Sequence, residues 1–239
     1  MRLGVRVGEA CAKIHDEKMH GIPSRHIEID EIWGFIGKKR KNTKAWDFTR
    51  GLGDAFIALD ADTKLIPAFR VGQRTVIEAR AFTQDLASRL ANRIQLSSDA
   101  LAAYTETVES ALGSAVDYGQ IVKTYSVSNL QKDAASRYSP ADVVEVEKKV
   151  VAGEPDVCLI CTSHIEKQNH TLRMHCRRLT RLTNAFSKKL DNFCAAVALN
   201  FTYYNFCKSN LAVRMTPAQA AGIESSQWTV AELVERCGE

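Results

Sequence analysis

The sequence predicts an α/β fold, a mixed sheet flanked by helices on both faces. Three observations predict it. Strand-like and helix-like stretches follow one another in the order β-β-β-α-β-α-β before two long helical segments close the series. The 239 residues suffice for one large domain. A hydrophobic fraction of 45% with 25% charged residues is ordinary for a globular protein and excludes disordered, collagenous and coiled-coil chains. No apolar run reaches the ~18–20 residues of a membrane helix. The opening MRLGVRVGEACAKIHDEK has no apolar centre of the kind a secretory signal needs. The 7 cysteines, an odd number, read as reduced thiols of a cytoplasmic protein.

The elements follow from period and punctuation. Residues 4–20 carry Val5, Ala10, Cys11, Ile14 and His15 on roughly one helical stripe, and Gly21-Ile22-Pro23 ends it. HIEIDEIWGFIG (26–37) is β-branched and aromatic. AFIALD (55–60) and LIPAFRVG (65–72) flank the tight turn Ala61-Asp62-Thr63-Lys64, where Asp60 and Asp62 read as turn residues. Residues 76–91 repeat Val76, Ala79, Phe82, Leu86 and Leu90 at helical spacing. RIQLSS (93–98) is a short strand, 100–112 a helix, and GQIVKTYS (119–126) a fifth strand. The polar stretch 127–156 reads as an insertion with a short helical run near 140–150. Helices are expected at 164–188 and 191–207, with two short pieces at 217–222 and 229–237. The aromatics of NFTYYNFC (200–207) read as core.

Three carboxylates stand out by position. Asp30 lies inside an apolar strand, where a charge is costly unless paired or bound to metal. Asp99 follows the strand RIQLSS directly, at the end where functional residues of α/β sheets gather. Glu166 opens the basic helix, where it also fits a capping box with Ser163.

The charge pattern adds to this. Net charge is only +4, but Lys38, Lys39, Arg40, Lys41 and Lys44 form one run, and 167–189 contains Lys and Arg with no acid. On a helix, His170, Arg173, Arg177, Arg181, Asn184 and Lys188 share the side of Glu166, opposite Leu172, Leu179, Leu182 and Phe186. Such a stripe suits a phosphate backbone.

The run TSHIEKQNHTLRMHCRRLTRLTNAFSKKLDN (162–192) resembles the catalytic-glutamate helix of DDE-type insertion-sequence transposases, specifically the family of the smallest bacterial insertion sequences. DEIWGFIGKKRKN (30–42), FIALDADTKL (56–65), RIQLSSDALAAY (93–104) and ASRYSPAD (135–142) match the same pattern in the same order. The resemblance implies a ribonuclease-H-like domain over 26–210, with a mixed five-stranded sheet and the insertion 127–156 before the glutamate helix. Residues 211–239 would form a helical tail. It implies that Asp30, Asp99 and Glu166 are catalytic and hold two Mg²⁺ ions, with Mn²⁺ as a substitute. Lys38, Lys39, Arg40, Lys41, His170, Arg173, Arg177, Arg181 and Lys188 would contact DNA. The implied partners are double-stranded DNA, at transposon ends and target, and further copies of the chain. No membrane or small-molecule substrate is implied, and the setting would be the bacterial nucleoid.

Relatives carry an N-terminal helix-turn-helix, so residues 1–25 read as the remnant of a recognition region, and 45–53 fits the family pattern poorly. This raises a second expectation, a catalytically silent or regulatory DNA-binding fragment. Cys158-x2-Cys161-x2-His164, with His170, His175 and Cys176 nearby, has a genuine ligand spacing. Against zinc stand the lack of a second matched pair and the expectation that Cys158 lies in a buried strand.

Overall fold

The computed structural model describes residues 2–38, 42, 44, 51–125, 143–180 and 184–238. In chain order the elements are α1 (Arg2–Lys18), β1 (His26–Ile36), β2 (Gly51–Asp60), β3 (Phe69–Gly72), α2 (Val76–Arg89), β4 (Ile94–Asp99), α3 (Ala102–Leu112), β5 (Val116–Tyr125), β6 (Val143–Ala152), α4 (Ser163–His175), α5 (Leu190–Phe206), α6 (Pro217–Ala220) and α7 (Val230–Arg236). The strands form one sheet in the order β3-β2-β1-β4-β5-β6. β1, β4 and β5 run parallel, and β2, β3 and β6 are antiparallel to their neighbours. This mixed sheet between helices is the ribonuclease-H-like arrangement.

Side-chain alternation divides β1 between two cores. Ile27 and Ile29 pack with Ala79, Phe82 and Leu86 of α2 and with Tyr104 and Val108 of α3. Ile32 and Ile36 pack on the other face with Ile165 and Leu172 of α4 and with Phe193, Val197 and Phe201 of α5. α1 lies along α5, where the Thr202 hydroxyl donates to the Cys11 carbonyl, and a third cluster joins both to Ala218 and Trp228. Phe201, Tyr204 and Phe206 are buried as core aromatics, but Tyr203 of the same stretch is exposed and lies outside the core. The turn after β2 is held by Asp60, whose Oδ1 accepts from the backbone of Asp62 and Thr63.

Three expectations are corrected. The sheet has six strands, because 143–152 pairs as β6 along β5 instead of forming a helical run. This strand is exposed along most of its length, its two-residue alternation is confined to Val144-Glu145-Val146-Glu147, and Glu147-Lys148-Lys149 favours helix locally. The basic helix ends at His175, not at 188. Cys176 turns extended, its buried side chain and that of Leu179 are drawn into the α4–α5 core, and the following segment reaches β1, where Gly37 N–H donates to the Ser187 carbonyl. Cys158 sits exposed in a 3-10 turn, Val157–Leu159, and not in a buried strand. Among the described residues no helix is long and apolar enough to cross a membrane.

Candidate active site

The backbone itself makes the site. β1 and β4 pair in parallel through Ile29 and Ser98, and the pairing stops there. Asp30 and Asp99 are the next residues on each strand, so they stand side by side where the strands part. α4 crosses this opening with Glu166 in its first turn. Asp30, Asp99 and Glu166 therefore line one cleft of about 600 Å³, together with Arg74, Lys123 and Tyr125. The three sequence-selected acids come from the three elements expected to carry them.

Each carboxylate is held. Asp30 Oδ2 accepts from Asn169 Nδ2 at 2.8 Å. Asp99 Oδ1 accepts from Leu101 N at 3.1 Å, and its Oδ2 lies 3.6 Å from Arg74. Glu166 Oε1 accepts from Lys123 Nζ at 2.5 Å and from Thr162 Oγ1 at 3.0 Å. The capping box with Ser163 is not formed. Thr162 is the N-cap and makes no side-chain cap bond, and Glu28 of β1 instead accepts from Ile165 N at 2.8 Å.

A fourth acid, Glu31, joins Asp30 and Asp99, with one carboxylate oxygen of each within 4.8 Å of the others. Its Oε2 accepts from Arg74 at 2.5 Å, and its Oε1 is buried without a hydrogen-bond partner. The buried Tyr104 hydroxyl is its neighbour and favours the ionised carboxylate. Burial first, then the charges of Asp99 and Glu166, push Asp30 up to about 6. Burial likewise pushes Glu31 up to about 7, opposed by Tyr104 and Arg74 and reinforced by Asp99. The Glu166 carboxylate holds the Lys123 ammonium above the usual lysine range.

Like charges gathered in this way are relieved by Arg74 and Lys123, by protonation or by a bound cation. The donor set is all carboxylate oxygen, which suits Mg²⁺ or Mn²⁺ over softer metals. The orphaned Glu31 Oε1 and Asn169 Oδ1 are further oxygens without hydrogen-bond partners. The residues fit a hard divalent cation.

The basic candidates fare unevenly. His170 and Arg173 line a second cleft of about 720 Å³ that shares Asp30 and Glu166 with the first. The Arg173 guanidinium sits 5.0 Å over the Trp33 ring and donates to the Leu179 carbonyl at 2.6 Å, so part of it serves the turn after α4. Arg177 and Lys188 are exposed but lie beyond the helix, so the single stripe is broken. Lys38 lies two residues beyond the end of β1. Lys39, Arg40, Lys41 and Arg181 lie outside the described residues.

Glu31, Arg74, Lys123 and Asn169 were not singled out from sequence. Asn169 follows Glu166 by three residues, a spacing that shares a helix face. Glu31 should have faced away from Asp30 by strand alternation. The structure nevertheless brings it to Asp99, at the end of β4.

No family model matches the chain, and no curated protein does. Among solved structures it is similar to a piggyBac transposase synaptic complex with hairpin DNA, with a TM-score of 0.41 and 11% identity. That alignment covers 90% of this chain and 52% of the other, so the chain spans about half the length of that protein.

Proposed function

We propose that this chain is a metal-dependent DNA-cutting and DNA-joining enzyme, a DDE-type transposase that acts at the ends of an insertion sequence. One observation carries the reading: Asp30, Asp99 and Glu166, chosen from sequence alone, line a single cleft at the point where β1 and β4 part. These three would hold two Mg²⁺ ions, which supply an activated water or DNA 3′-hydroxyl on one side and stabilise the leaving oxygen on the other.

The chain's own groups do the rest. Asn169 fixes the Asp30 carboxylate through Oδ2. Arg74, shared between Glu31 and Asp99, keeps Asp99 at the cleft and offsets the charge that Glu31 adds. Lys123 pairs with Glu166 and would have to release it for that carboxylate to hold a cation. His170 and Arg173, in the adjoining cleft, are placed to hold phosphates of the reacting strand. The chemistry passes through no covalent protein–DNA link, so it asks for no serine or tyrosine nucleophile. Duplex DNA is the substrate, and pairing of two transposon ends calls for more than one copy of the chain.

The test is strand transfer from pre-cut transposon ends with Mg²⁺ or Mn²⁺. Metal ligation supplies several kcal/mol of transition-state stabilisation, so Asp99→Asn should cut the rate by ~10²-fold or more. Joining that survives Asp99→Asn and Glu166→Gln undiminished would overturn the assignment.

A further inference from the structure

A second group of ligand-type side chains lies apart from the carboxylate cleft. Glu28, Cys161 and His164 each present one donor atom, and the three atoms lie within 4.8 Å of one another. They come from two elements. Glu28 belongs to β1, and Cys161 and His164 flank the start of α4. Glu28 is buried, yet both its oxygens are used at the helix start: Oε1 lies 2.6 Å from His164 Nδ1 and Oε2 accepts from Ile165 N at 2.8 Å. Cys161 is half-buried, with Sγ 2.9 Å from Ser163 Oγ. His164 is 46% exposed in its side chain and lines an open pocket of about 400 Å³, which gives an ion a path in.

We propose that Glu28, Cys161 and His164 form a binding site for a soft divalent cation, zinc by donor chemistry, that fastens the first turn of α4 to β1. Thiolate and imidazole favour Zn²⁺ over Mg²⁺, so the site differs in kind from the all-oxygen cleft. Three protein ligands leave the fourth position to water, a coordination that zinc adopts in its open sites, whereas closed structural sites use four protein ligands. Bond lengths of about 2.0–2.3 Å place ligand atoms about 3.3–3.6 Å apart, so the group closes by small side-chain rotations. The ion takes the place of the proton between Glu28 Oε1 and His164 Nδ1. The imidazole then carries its proton on Nε2, and the Cys161 thiol proton leaves to solvent. The structure also revises the cysteine motif. Cys158, at C-x2-C spacing, is exposed and outside the group, and buried Glu28 from a distant strand stands in its stead. Because Glu166 lies two residues beyond His164, the ion would fix the position of the helix that carries it.

The probes are Zn²⁺ and Co²⁺ alone, added to the full chain in the presence of excess Mg²⁺. Co²⁺ should give a thiolate-to-metal charge-transfer band in the wild type, a readout independent of any variant's folding. Zn²⁺ should raise the melting temperature. Cys161→Ser should abolish the band, and Cys161→Ser and His164→Gln should each weaken Zn²⁺ binding by more than ~10-fold. Asp99→Asn should leave it unchanged. No charge-transfer band, or Zn²⁺ binding that survives Cys161→Ser and is lost in Asp99→Asn, would overturn the proposal.

Discussion

His15 and Asp30 are buried titratable groups, and burial acts through them on stability in opposite directions. His15 donates through Nε2–H to the Ile66 carbonyl, 2.9 Å away, and burial pushes it down to about 4. The folded chain therefore binds this proton more weakly than the unfolded chain does. The stability that a neutral His15 allows is fully present above the ordinary value of 6.5 and is lost as pH falls through about 4. At 1.36 kcal/mol per unit the linked loss is at most ~3 kcal/mol. Glutamine can keep a donor at Ile66 without titrating. The stability difference between wild type and His15→Gln should thus shift toward the variant by up to ~3 kcal/mol between pH 7 and pH 4. Denaturant unfolding at the two pH values reads it, and a pH-independent difference would refute it. Asp30 works the other way. Its raised value means a penalty absent at acid pH and complete once pH exceeds about 6. At this scale Asp30, Asp99 and Glu166 were legible together, through the order of the motifs that carry them, since each alone also fits a structural role such as the Leu101 N–H contact that Asp99 makes. Arg74 and Lys123 were not, because nothing local distinguishes a cation that reaches a carboxylate from one that reaches water.

The elements explain which parts of the fold could be read in advance. β1, β2, α2 and α5 bury one or both faces, so their apolar period was plain, and each lies within a few residues of its expected range. β6 buries little, and its identity rests on backbone pairing with β5, of which the hydrophobic pattern keeps only the short alternation Val144-Glu145-Val146-Glu147. The early end of α4 is likewise tertiary. Arg173 donates to the Leu179 carbonyl, Thr180 donates back to the Arg173 carbonyl, and Leu179 enters the core, all of which a continued helix would forbid. α1 shows how tightly an element can be specified by one residue. A Cβ at Gly8 would lie 2.4 Å from Ala195 Cα and 2.5 Å from its carbonyl oxygen. Backbone cannot yield as a side chain tip can, so Gly8→Ala must push α1 off α5. Overpacking of this kind costs about 1–3 kcal/mol. Thermal melts should show that loss, even though alanine is the better helix former. A melting temperature equal to or above wild type would mean that α1 does not dock on α5 as described.

Across the whole molecule, a net charge of +4 conceals an acidic cleft set among basic neighbours. Asp30, Glu31, Asp99 and Glu166 are only partly offset by Arg74 and Lys123. On the proposed function, a phosphate backbone drawn in by surface cations must approach that excess of negative charge to reach the cleft. Divalent cation should therefore act on binding as well as on chemistry. In chelator, Asp99→Asn should bind duplex DNA several-fold more tightly than wild type, because one repelling charge is gone. With Mg²⁺ present the ranking should shrink or reverse, because the variant has lost a ligand. Arg177, exposed beyond the end of α4, gives the complementary control. Its replacement by alanine should weaken binding with little sequence dependence and flatten the slope of log affinity against log salt by ~1 for one lost phosphate contact. Fluorescence anisotropy over a salt series, with and without Mg²⁺, measures both effects. Equal affinity of wild type and Asp99→Asn in chelator would mean that DNA does not approach the carboxylates. An unchanged slope in Arg177→Ala would remove that arginine from the DNA-binding surface.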